Sequence, residues 1–379
     1  MEPAPIDAIV RANLQRIVPY SPGKPTREVQ EELGIREVVK LASNENPLGP
    51  SPKAIEAMRV AAPEAHIYPD SASAELTAAL AEKWDTDPEG IVVGRGSDEV
   101  IHMLGLAFVS PGDEVIYSDP SFALYPLTTD LLDGVSVQIP ARDFTHNLEA
   151  FADAITPRTR LIFISNPYNP TGTIVTAEQV GKFMERVPDT CVVVFDEAYF
   201  EYVESPRYPR ALDYVREGRR AIVLRTFSKA YGLAGLRVGY GMTTPEIAEP
   251  LKRVRAPFNV AGIAQVAALA ALSDPEHVER SVRMVSEGRQ YLYTECKRLG
   301  LRWVPSEANF VFIDAGVDSC WLFDQLMRRG VTVRTGDIFG HPTFIRVTVG
   351  TPGENKIFIS ALEEVLSAQV PRQGLGGSS

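Results

Sequence analysis

The sequence is poor in cysteine and histidine, and this scarcity limits the chemistry it can support. Only three cysteines and five histidines occur among the 379 residues. Cys191, Cys296 and Cys320 lie far apart, without the close pairs of a zinc site or a disulfide framework. No two histidines have the spacing of a helical metal-binding pair. We therefore assign no metal, and the low cysteine content fits the reducing cytoplasm.

The sequence also lacks a positive net charge and long apolar segments. Asp and Glu number 49 against 38 Lys and Arg, which gives a formal net charge of −11. This charge repels nucleic acids and anionic membranes, so an anionic ligand must meet a local cluster of positive groups. No run of about 18 apolar residues occurs, and the first residues have no basic start followed by an apolar run. We therefore expect neither export nor a membrane span.

What the sequence does contain is an alternation of short β-branched runs and longer amphipathic segments, from residue 91 to residue 260. This alternation is typical of βαβ units around a largely parallel sheet. Strands are predicted at residues 91–93, 114–117, 136–139, 161–165, 191–196, 221–225 and 237–241. Helices are predicted between them at residues 98–109, 122–132, 176–186 and 245–253. The middle of the chain is thus predicted to be α/β.

A different pattern begins at residue 275, with a charge-rich amphipathic helix over residues 275–299. Strands at 310–313, 331–334 and 344–349 and helices at 319–329 and 354–368 predict a small α+β domain. Two domains are expected for this length, because single cores stop growing at about 250 to 300 residues. We place an N-terminal segment at 1–45, a large domain at 46–274, a small domain at 275–370 and a flexible tail at 371–379.

Glycine-rich and polar motifs follow the predicted strands, at the positions where open α/β sheets bind ligands. Residues 94–99 (GRGSDE) open a helix whose free N–H groups could bind a phosphate, although a capped helix start is the simpler interpretation. A third glycine is missing, which argues against a dinucleotide site. Residues 166–172 (NPYNPTG) present amide side chains on an irregular backbone, or form a turn only.

Two charged positions stand out among the residues that follow strands. Asp196 ends a strand apolar enough to be buried, where a carboxylate is costly unless it is paired with a cation; a helix N-cap is the alternative. Thr226, Ser228, Lys229 and Arg237 supply two hydroxyls, an ammonium and a guanidinium, which suit a phosphate and a carbonyl group. Taken alone, the TFSK segment fits a solvated lysine better.

Together these segments resemble the fold-type I pyridoxal 5'-phosphate (PLP) enzymes, specifically the class I/II aminotransferases and, within them, the histidinol-phosphate aminotransferase branch. The resemblance covers nearly the whole chain. It rests on residues 40–50 (KLASNENPLGP), 68–70 (YPD), 96–98 (GSD), 166–172, 196–199 (DEAY), 228–229 (SK), 233–237 (LAGLR) and 345–350 (IRVTVG). The implied fold is a large α/β domain with a seven-stranded, mostly parallel sheet plus a small α+β domain. Residues 1–45 are expected to pack with the small domain and the active site.

The resemblance implies catalytic roles for Lys229, Asp196 and Tyr199. The lysine matching Lys229 binds PLP as a Schiff base and, once substrate displaces it, moves a proton between substrate and cofactor. The carboxylate matching Asp196 keeps the pyridine nitrogen of PLP protonated. Asn169 and Tyr199 match groups that hydrogen-bond the phenolic oxygen, and Phe122 matches the aromatic side chain that stacks on the ring.

The remaining implied contacts concern the cofactor phosphate and the substrate. The phosphate contacts match backbone groups, hydroxyls and one guanidinium at Ser97, Asp98, Thr226, Ser228 and Arg237, with Tyr68 supplied by the neighbouring subunit. The resemblance therefore implies a homodimer with shared active sites. The substrate contacts match Tyr20, Asn44, Arg334 and Arg346. Phe258 stands where family members often carry tyrosine, which removes a hydroxyl near the substrate.

The implied reaction is transamination between histidinol phosphate and 2-oxoglutarate in histidine biosynthesis. Its partners are a small amino donor and a 2-oxo acid, with no nucleic acid and no membrane. An aromatic amino-acid aminotransferase is the alternative, because Lys229 and Arg346 would serve it equally well. A PLP-dependent decarboxylase of an amino-acid phosphate and a non-catalytic PLP-binding protein are further alternatives.

Overall fold

The computed structural model describes residues 6, 9–17, 19, 26–35 and 37–369. Tyr20 and the predicted tail at 371–379 lie outside the described residues. The chain forms two compact units, of which the first comprises Met1–Ser21, Glu45–Arg283 and Ser306–Ala308. The second comprises Pro22–Asn44, Met284–Pro305 and Asn309–Ser379. The units meet between Arg283 and Met284, inside the long helix Pro275–Arg298, whereas the predicted domain limit lies at the start of that helix. The predicted domain limits stay predictions.

The elements are numbered here in chain order. The helices are α1 (Thr26–Leu33), α2 (Pro52–Ala61), α3 (Ala74–Trp84), α4 (Ser97–Phe108), α5 (Leu124–Leu131), α6 (Leu148–Asp153), α7 (Ala177–Met184), α8 (Ala211–Arg216), α9 (Pro245–Val254), α10 (Gly262–Leu272), α11 (Pro275–Arg298), α12 (Ser319–Met327) and α13 (Pro352–Gln369). The strands are β1 (Val39–Lys40), β2 (Ile91–Gly94), β3 (Glu114–Asp119), β4 (Val135–Pro140), β5 (Thr159–Ser165), β6 (Val192–Asp196), β7 (Ala221–Thr226), β8 (Gly239–Thr243), β9 (Arg302–Val304), β10 (Phe310–Asp314), β11 (Val331–Thr332), β12 (Arg334–Thr335) and β13 (Phe344–Thr348).

The first unit is built on a seven-stranded sheet with the order β2-β8-β7-β6-β5-β3-β4. Strands β4, β3, β5, β6 and β7 pair in parallel, whereas β8 pairs antiparallel with both β7 and β2. Strand β8 is therefore the one strand of this sheet that runs against the others. The carboxyl ends of β2, β3, β5, β6 and β7 meet at one edge, and β8 begins at that same edge.

Helices cover both faces of this sheet, so its central strands are apolar on both sides. In β6, Val193 and Phe195 pack in one core with residues of α2, α3, α6, α7, α8 and α10. Val192 and Val194 pack in a second core with residues of α4, α5 and α9. Strand side chains alternate between faces with a period of two, which explains why the β-branched run of β6 serves both cores.

The second unit contains a four-stranded antiparallel sheet in the order β12-β13-β10-β9 and a parallel pair, β1 with β11. Strand β10 is buried along its whole length. The predicted strand at 331–334 is wrong as a single strand, because its first two residues pair with β1 and Arg334 pairs with β13. The continuous β-branched run does not reveal this change of partner, because both pieces are extended.

The seven predicted strands of the large sheet are confirmed, and its mostly parallel character is confirmed as well. Helices α1, α2, α3, α6, α8 and α10 were not predicted. Helix α10 shows why, since its sequence GIAQVAALAAL is apolar on nearly all sides and lacks the 3.6-residue pattern. This helix packs against α2 and α3 through small side chains such as Ala264, Ala267 and Ala268.

Candidate active site

The loops at the carboxyl edge of the large sheet enclose a cavity of about 160 Å³. Parallel strands deliver the residues after them to the same edge, which explains how positions far apart in sequence meet here. The lining comprises Ser97, Asp98, Phe122, Ser165, Asn169, Asp196, Ala198, Tyr199, Thr226, Ser228, Lys229 and Arg237. Ten of these twelve side chains were predicted as site residues; Ser165 and Ala198 were not.

One end of the cavity is suited to an anion. Helix α4 begins at Ser97, no described side chain caps its first turn, and its N–H groups and dipole favour negative charge there. The Arg237 Nη1 donates to Ser228 Oγ at 3.1 Å, and its Nη2 pairs with Asp98 Oδ2 at 2.7 Å. The backbone N–H of Ser228 donates to Thr226 Oγ1 at 3.1 Å. Hydroxyls, backbone amides and a guanidinium thus converge at one point, as charge-assisted binding of a phosphate requires.

The close approach of this cluster depends on Gly96. A Cβ atom at Gly96 would lie 2.6 Å from Arg237 Nη2, and Gly96 also has a φ of 78°. The positive φ disfavours every residue with a side chain, and a Cβ atom would also push the guanidinium away. Glycine therefore lets the backbone before α4 approach the guanidinium.

Asp196 belongs to the same lining and is only 5% exposed. Its Oδ2 accepts a hydrogen bond from the Tyr125 hydroxyl at 2.7 Å, and its Oδ1 accepts one from the backbone N–H of Ala198 at 3.3 Å. Burial raises the pKa of the Asp196 carboxyl to about 6, and the hydrogen bond from Tyr125 opposes that rise. A buried carboxylate aimed into a cavity suits a cationic group of a ligand.

Lys229 also belongs to the lining of this cavity. It directly follows Ser228 after β7, and its Nζ is 5.6 Å from the ring centroid of Tyr199. Asn169 and Tyr199 belong to the same lining, as does the ring of Phe122. The cavity thus presents an amine, two neutral hydrogen-bonding side chains and an aromatic face to one bound molecule.

A buried ion pair lies beside the site without joining its lining. Arg225 Nη2 is 2.7 Å from Glu197 Oε2, and both side chains are at most 5% exposed. The guanidinium carbon lies 3.5 Å from the ring centroid of Phe200 and 3.9 Å from that of Trp84. Because Arg225 is bound to Glu197, it neutralises that carboxylate. The prediction that Asp196 pairs with a cationic ligand stays a prediction.

The second unit holds the other predicted substrate residues. Arg346 on β13 is buried, donates from Nη2 to the carbonyl of Ala42 at 3.1 Å, and faces the ring of Phe310. Arg334 on β12 is its cross-strand neighbour. Asn44 has a φ of 55° and is fixed by hydrogen bonds with Thr348. Like charges on opposite positions of two strands repel, so the arginine pair favours an anion.

Tyr68 does not belong to the described lining of the cavity. Its side chain is 79% exposed, and its ring stacks on Phe258 at a centroid distance of 4.7 Å. Phe258, the residue that departs from the family tyrosine, is itself 45% exposed. The two rings form an apolar surface on the first unit.

A larger groove of about 890 Å³ lies elsewhere in the first unit, between residues 142–149 and α7. Its charged side chains are mostly exposed and some pair with each other, as Lys182 with Glu178 and Arg142 with Asp143. Exposed pairs of this kind are solvated and contribute little stabilisation. Size alone therefore does not identify the functional site here.

Comparison with known proteins decides the family. The family profile described as Aminotransferase class I and II matches residues 36–362. The chain belongs to the class I and II aminotransferases. A protein of Moorella thermoacetica named histidinol-phosphate aminotransferase is 52% identical over 94% of this chain and 93% of its own length. One of the same name from Caldicellulosiruptor saccharolyticus is 45% identical over 94% and 99%.

A solved structure supports the same relationship for this aminotransferase. The crystal structure of histidinol-phosphate aminotransferase from Sinorhizobium meliloti in complex with PLP matches with a TM-score of 0.88 and 29% identity, covering 95% of this chain and 98% of that one. The predicted family and the fold-type I architecture are confirmed. In the described part of this aminotransferase, no helix is long and apolar enough to cross a membrane. No group of three or more His, Cys, Asp or Glu side chains there is arranged to hold a metal ion.

Sequence reasoning missed Tyr125, the buried residue that donates to Asp196. It lies on the first turn of α5, three positions after Phe122. The helical spacing could have placed it on the sheet-facing side. Nothing in the sequence shows that its hydroxyl meets the carboxylate at the end of β6, because that contact joins residues 71 positions apart.

Proposed function

We propose that this aminotransferase is a cytoplasmic, PLP-dependent enzyme that transfers an amino group between histidinol phosphate and 2-oxoglutarate. The family and the names of the relatives support this reaction. The observation that carries the proposal is the single cavity in which a buried carboxylate, a lysine and an anion-binding cluster lie together.

The lining fits PLP on chemical grounds. PLP has a phosphate, a pyridine nitrogen that can be protonated and an aldehyde, and each has a suitable counterpart in the lining. The phosphate would be held by Ser97, Thr226, Ser228 and Arg237, and the ring nitrogen by Asp196. When bound, PLP supplies an electron-accepting ring to the substrate carbon that bears the amino group.

The side chains of the lining would hold the cofactor in place and control the positions of the protons. Lys229 would hold the cofactor covalently and, when released, would hold or move a proton at its Nζ. Asp196, buried and already accepting two hydrogen bonds, would keep a positive charge on the ring nitrogen, because a buried carboxylate without a cationic partner is unfavourable. Asn169 and Tyr199 would hydrogen-bond the phenolic oxygen of the ring, and Phe122 would pack against the ring.

The substrate preference is supported by the pair of arginines in the second unit. Arg334 and Arg346 occupy directly opposite positions on β12 and β13, so their side chains start from the same face of the sheet. Two guanidiniums suit a dianionic phosphate, whereas a side chain such as that of phenylalanine needs an apolar wall. Tyr20 and Asn44 complete the proposed substrate contacts.

We also propose a homodimer in which Tyr68 of each subunit contacts the cofactor phosphate of the other. The exposed Tyr68 and Phe258 rings support this, since large apolar rings on a surface are typical of interfaces. A phosphate contact from Tyr68 in the neighbouring chain would also explain why Tyr68 lies outside the lining in its own chain.

Steady-state assays of the PLP-loaded enzyme test the proposed reaction. Histidinol phosphate and phenylalanine are compared as amino donors to 2-oxoglutarate, in the wild type and in Arg334→Leu. We expect kcat/KM for histidinol phosphate to exceed that for phenylalanine. Arg334→Leu should lower kcat/KM for histidinol phosphate by a factor that corresponds to a loss of about 1.5 to 3 kcal/mol in transition-state stabilisation, the scale of a hydrogen bond to a charged group. It should leave phenylalanine turnover almost unchanged.

Arg346→Leu is the matched comparison. It should damage both reactions, because Arg346 would serve the phosphate of one substrate and the carboxylate of the other. A wild type that prefers phenylalanine, with equally small effects of Arg334→Leu on both donors, would instead favour the aromatic aminotransferase. Release of CO2 from an amino-acid phosphate would indicate the decarboxylase.

A further inference from the structure

Tyr125 makes a contact with the site that the proposed function does not use. It lies on the first turn of α5, is 2% exposed, and does not line the cavity. Its hydroxyl donates to Asp196 Oδ2 at 2.7 Å, whereas the backbone N–H of Ala198 reaches Oδ1 only at 3.3 Å. Tyr125 therefore provides the shorter of these two hydrogen bonds to the carboxylate.

The ring of Tyr125 is held rigidly, so the direction of its hydroxyl is fixed. It stacks on Phe163 of β5 with a centroid distance of 4.4 Å and an interplanar angle of 12°. It also meets the edge of Phe122 at 5.8 Å and tilts against Tyr117 at 6.1 Å. Offset-stacked and edge-to-face contacts of this kind stabilise a single ring orientation. A hydroxyl on such a ring has little freedom to leave its acceptor.

The surroundings of the Tyr125 hydroxyl also determine its protonation state. Burial, followed by the nearby Asp196 charge, raises the pKa of the Tyr125 hydroxyl well above its usual value. Tyr125 therefore keeps its proton and acts only as a donor to the carboxylate. A hydrogen bond to the charged form of an acid stabilises that form, so the Tyr125 contact favours ionised Asp196.

The surroundings of Asp196 otherwise oppose its ionisation. Burial is the largest cause of its raised pKa, and the charges of Asp98 and Glu197 add to it. Arg225 cannot relieve this, because it is engaged by Glu197 at 2.7 Å. Tyr125 thus counteracts the environment of the carboxylate from outside the cavity, together with the weaker contribution of the Ala198 amide.

We infer that Tyr125 is a positioning residue for the reaction, whose hydroxyl holds Asp196 ionised and oriented so that the proton of the ion pair stays on the cofactor ring nitrogen. This inference rests on the proposed function, because it requires PLP in the cavity. When PLP is bound, the proton shared between Asp196 and the ring nitrogen can reside either on the nitrogen or on the carboxylate oxygen. Removing the donor raises the basicity of the carboxylate and moves the proton toward it, with no change in the total number of protons.

The test follows the ring nitrogen itself. Holoenzyme is reconstituted with PLP that is labelled with 15N in the ring, and the 15N chemical shift is measured for the wild type, Tyr125→Phe and Tyr117→Phe. Tyr117 is a matched control, since it is buried in the same core and its hydroxyl meets Gln138 instead of Asp196. We expect the wild type and Tyr117→Phe to give the shift of a protonated ring nitrogen.

Tyr125→Phe should move the shift toward the unprotonated position at every pH, because the proton transfers within the pair. We further expect the dissociation constant of PLP to rise about tenfold, and kcat to fall about tenfold with little change in the KM of the amino donor. A second variant carries 3-fluorotyrosine at position 125, which makes the hydroxyl a stronger donor. The 3-fluorotyrosine variant should move the 15N chemical shift away from the unprotonated position. If Tyr125→Phe does not fold, this variant alone tests the role of Tyr125.

The outcomes separate the two proposals. A wild type that takes up no PLP would overturn the proposed function, whatever the variants do. A wild type with a protonated ring nitrogen, together with unchanged shifts in both position-125 variants, would overturn the role of Tyr125 and leave the proposed function intact. Equal shifts in Tyr125→Phe and Tyr117→Phe would also overturn it, because the effect would then come from the core and not from the hydroxyl.

Discussion

At the scale of single residues, Asp196 shows a conflict between stability and activity. The raised pKa of its carboxyl, about 6, means that the folded protein without cofactor holds a carboxylate in an unfavourable place at neutral pH. In the unfolded chain the same group titrates near 3.9. Such a charge is retained where a ligand needs it, which is consistent with the proposed cation at the ring nitrogen.

The stability of the Asp196→Asn variant tests this conflict in the cofactor-free protein. Because the folded pKa is the higher one, the penalty is complete above pH 6 and absent below about pH 4. The rise of the carboxyl pKa from about 4 to about 6 corresponds to roughly 3 kcal/mol, and this value already includes the opposing hydrogen bond from Tyr125. We expect Asp196→Asn to be about 2 to 3 kcal/mol more stable than the wild type at pH 8.

Thermal unfolding at equal protein concentration measures the difference. It should shrink steadily as the pH falls from 6 to 4. Addition of PLP should reverse the order, because the wild type gains more from the ligand. A variant that is less stable than the wild type at pH 8 without cofactor would show that the buried charge is already compensated within the protein.

At the scale of elements, β8 fixes the place where α4 begins. Gly239, the first residue of β8, packs directly behind the start of this helix. A Cβ atom there would lie 2.2 Å from the backbone nitrogen of Ser97 and 2.6 Å from the carbonyl carbon of Gly96. Backbone atoms cannot move aside as a flexible side chain can. The antiparallel strand thus sets the position of the N–H groups that face the proposed phosphate.

The Gly239→Ala variant should therefore damage stability and cofactor binding together. We expect a loss of about 1 to 3 kcal/mol in the free energy of unfolding, the usual cost of overpacking, and about a tenfold rise in the PLP dissociation constant. Urea unfolding and titration with PLP measure the two effects. Gly235→Ala is the control, because a Cβ atom at Gly235 meets nothing within 4 Å. Equal behaviour of both variants would contradict the role given to β8.

The elements also show what the sequence can and cannot predict. The strands of the large sheet follow from β-branched runs, and the residues after them follow from the rule that ligands bind at the carboxyl edge. Most of the lining, including Asp196 and Lys229, was therefore accessible from the sequence and from family resemblance. The contact of Tyr125 with Asp196 was not, because it depends on the packing of α5 against β5. The change of pairing partner after Thr332 was also hidden, since the residues of an extended segment do not show which strand they pair with.

At the scale of the whole molecule, a protein with a net charge of −11 is proposed to bind two phosphate-bearing molecules. Long-range attraction cannot supply this, so local groups must. The first unit concentrates Arg237 and the start of α4 at one point, and the second places Arg334 opposite Arg346. A contribution from a neighbouring subunit would complete the first of these clusters, and Tyr68 is the residue proposed to make it.

Complementation between an inactive and an impaired subunit tests that contribution. Lys229→Ala chains and Tyr68→Phe chains carry different affinity tags, so that mixed dimers can be isolated. If Tyr68 acts on the neighbouring chain, each mixed dimer has one site with both native residues, namely the site that contains Lys229 and receives Tyr68 from the Lys229→Ala chain. We expect about half of the wild-type activity per dimer, given two equivalent sites in a symmetric dimer. Mixing Lys229→Ala with Asp196→Asn is the control, because these residues line one cavity of the same chain and no mixed site can contain both. If Tyr68 instead serves its own chain, the mixed dimers will be no more active per site than the Tyr68→Phe parent, and the shared site will have to be abandoned.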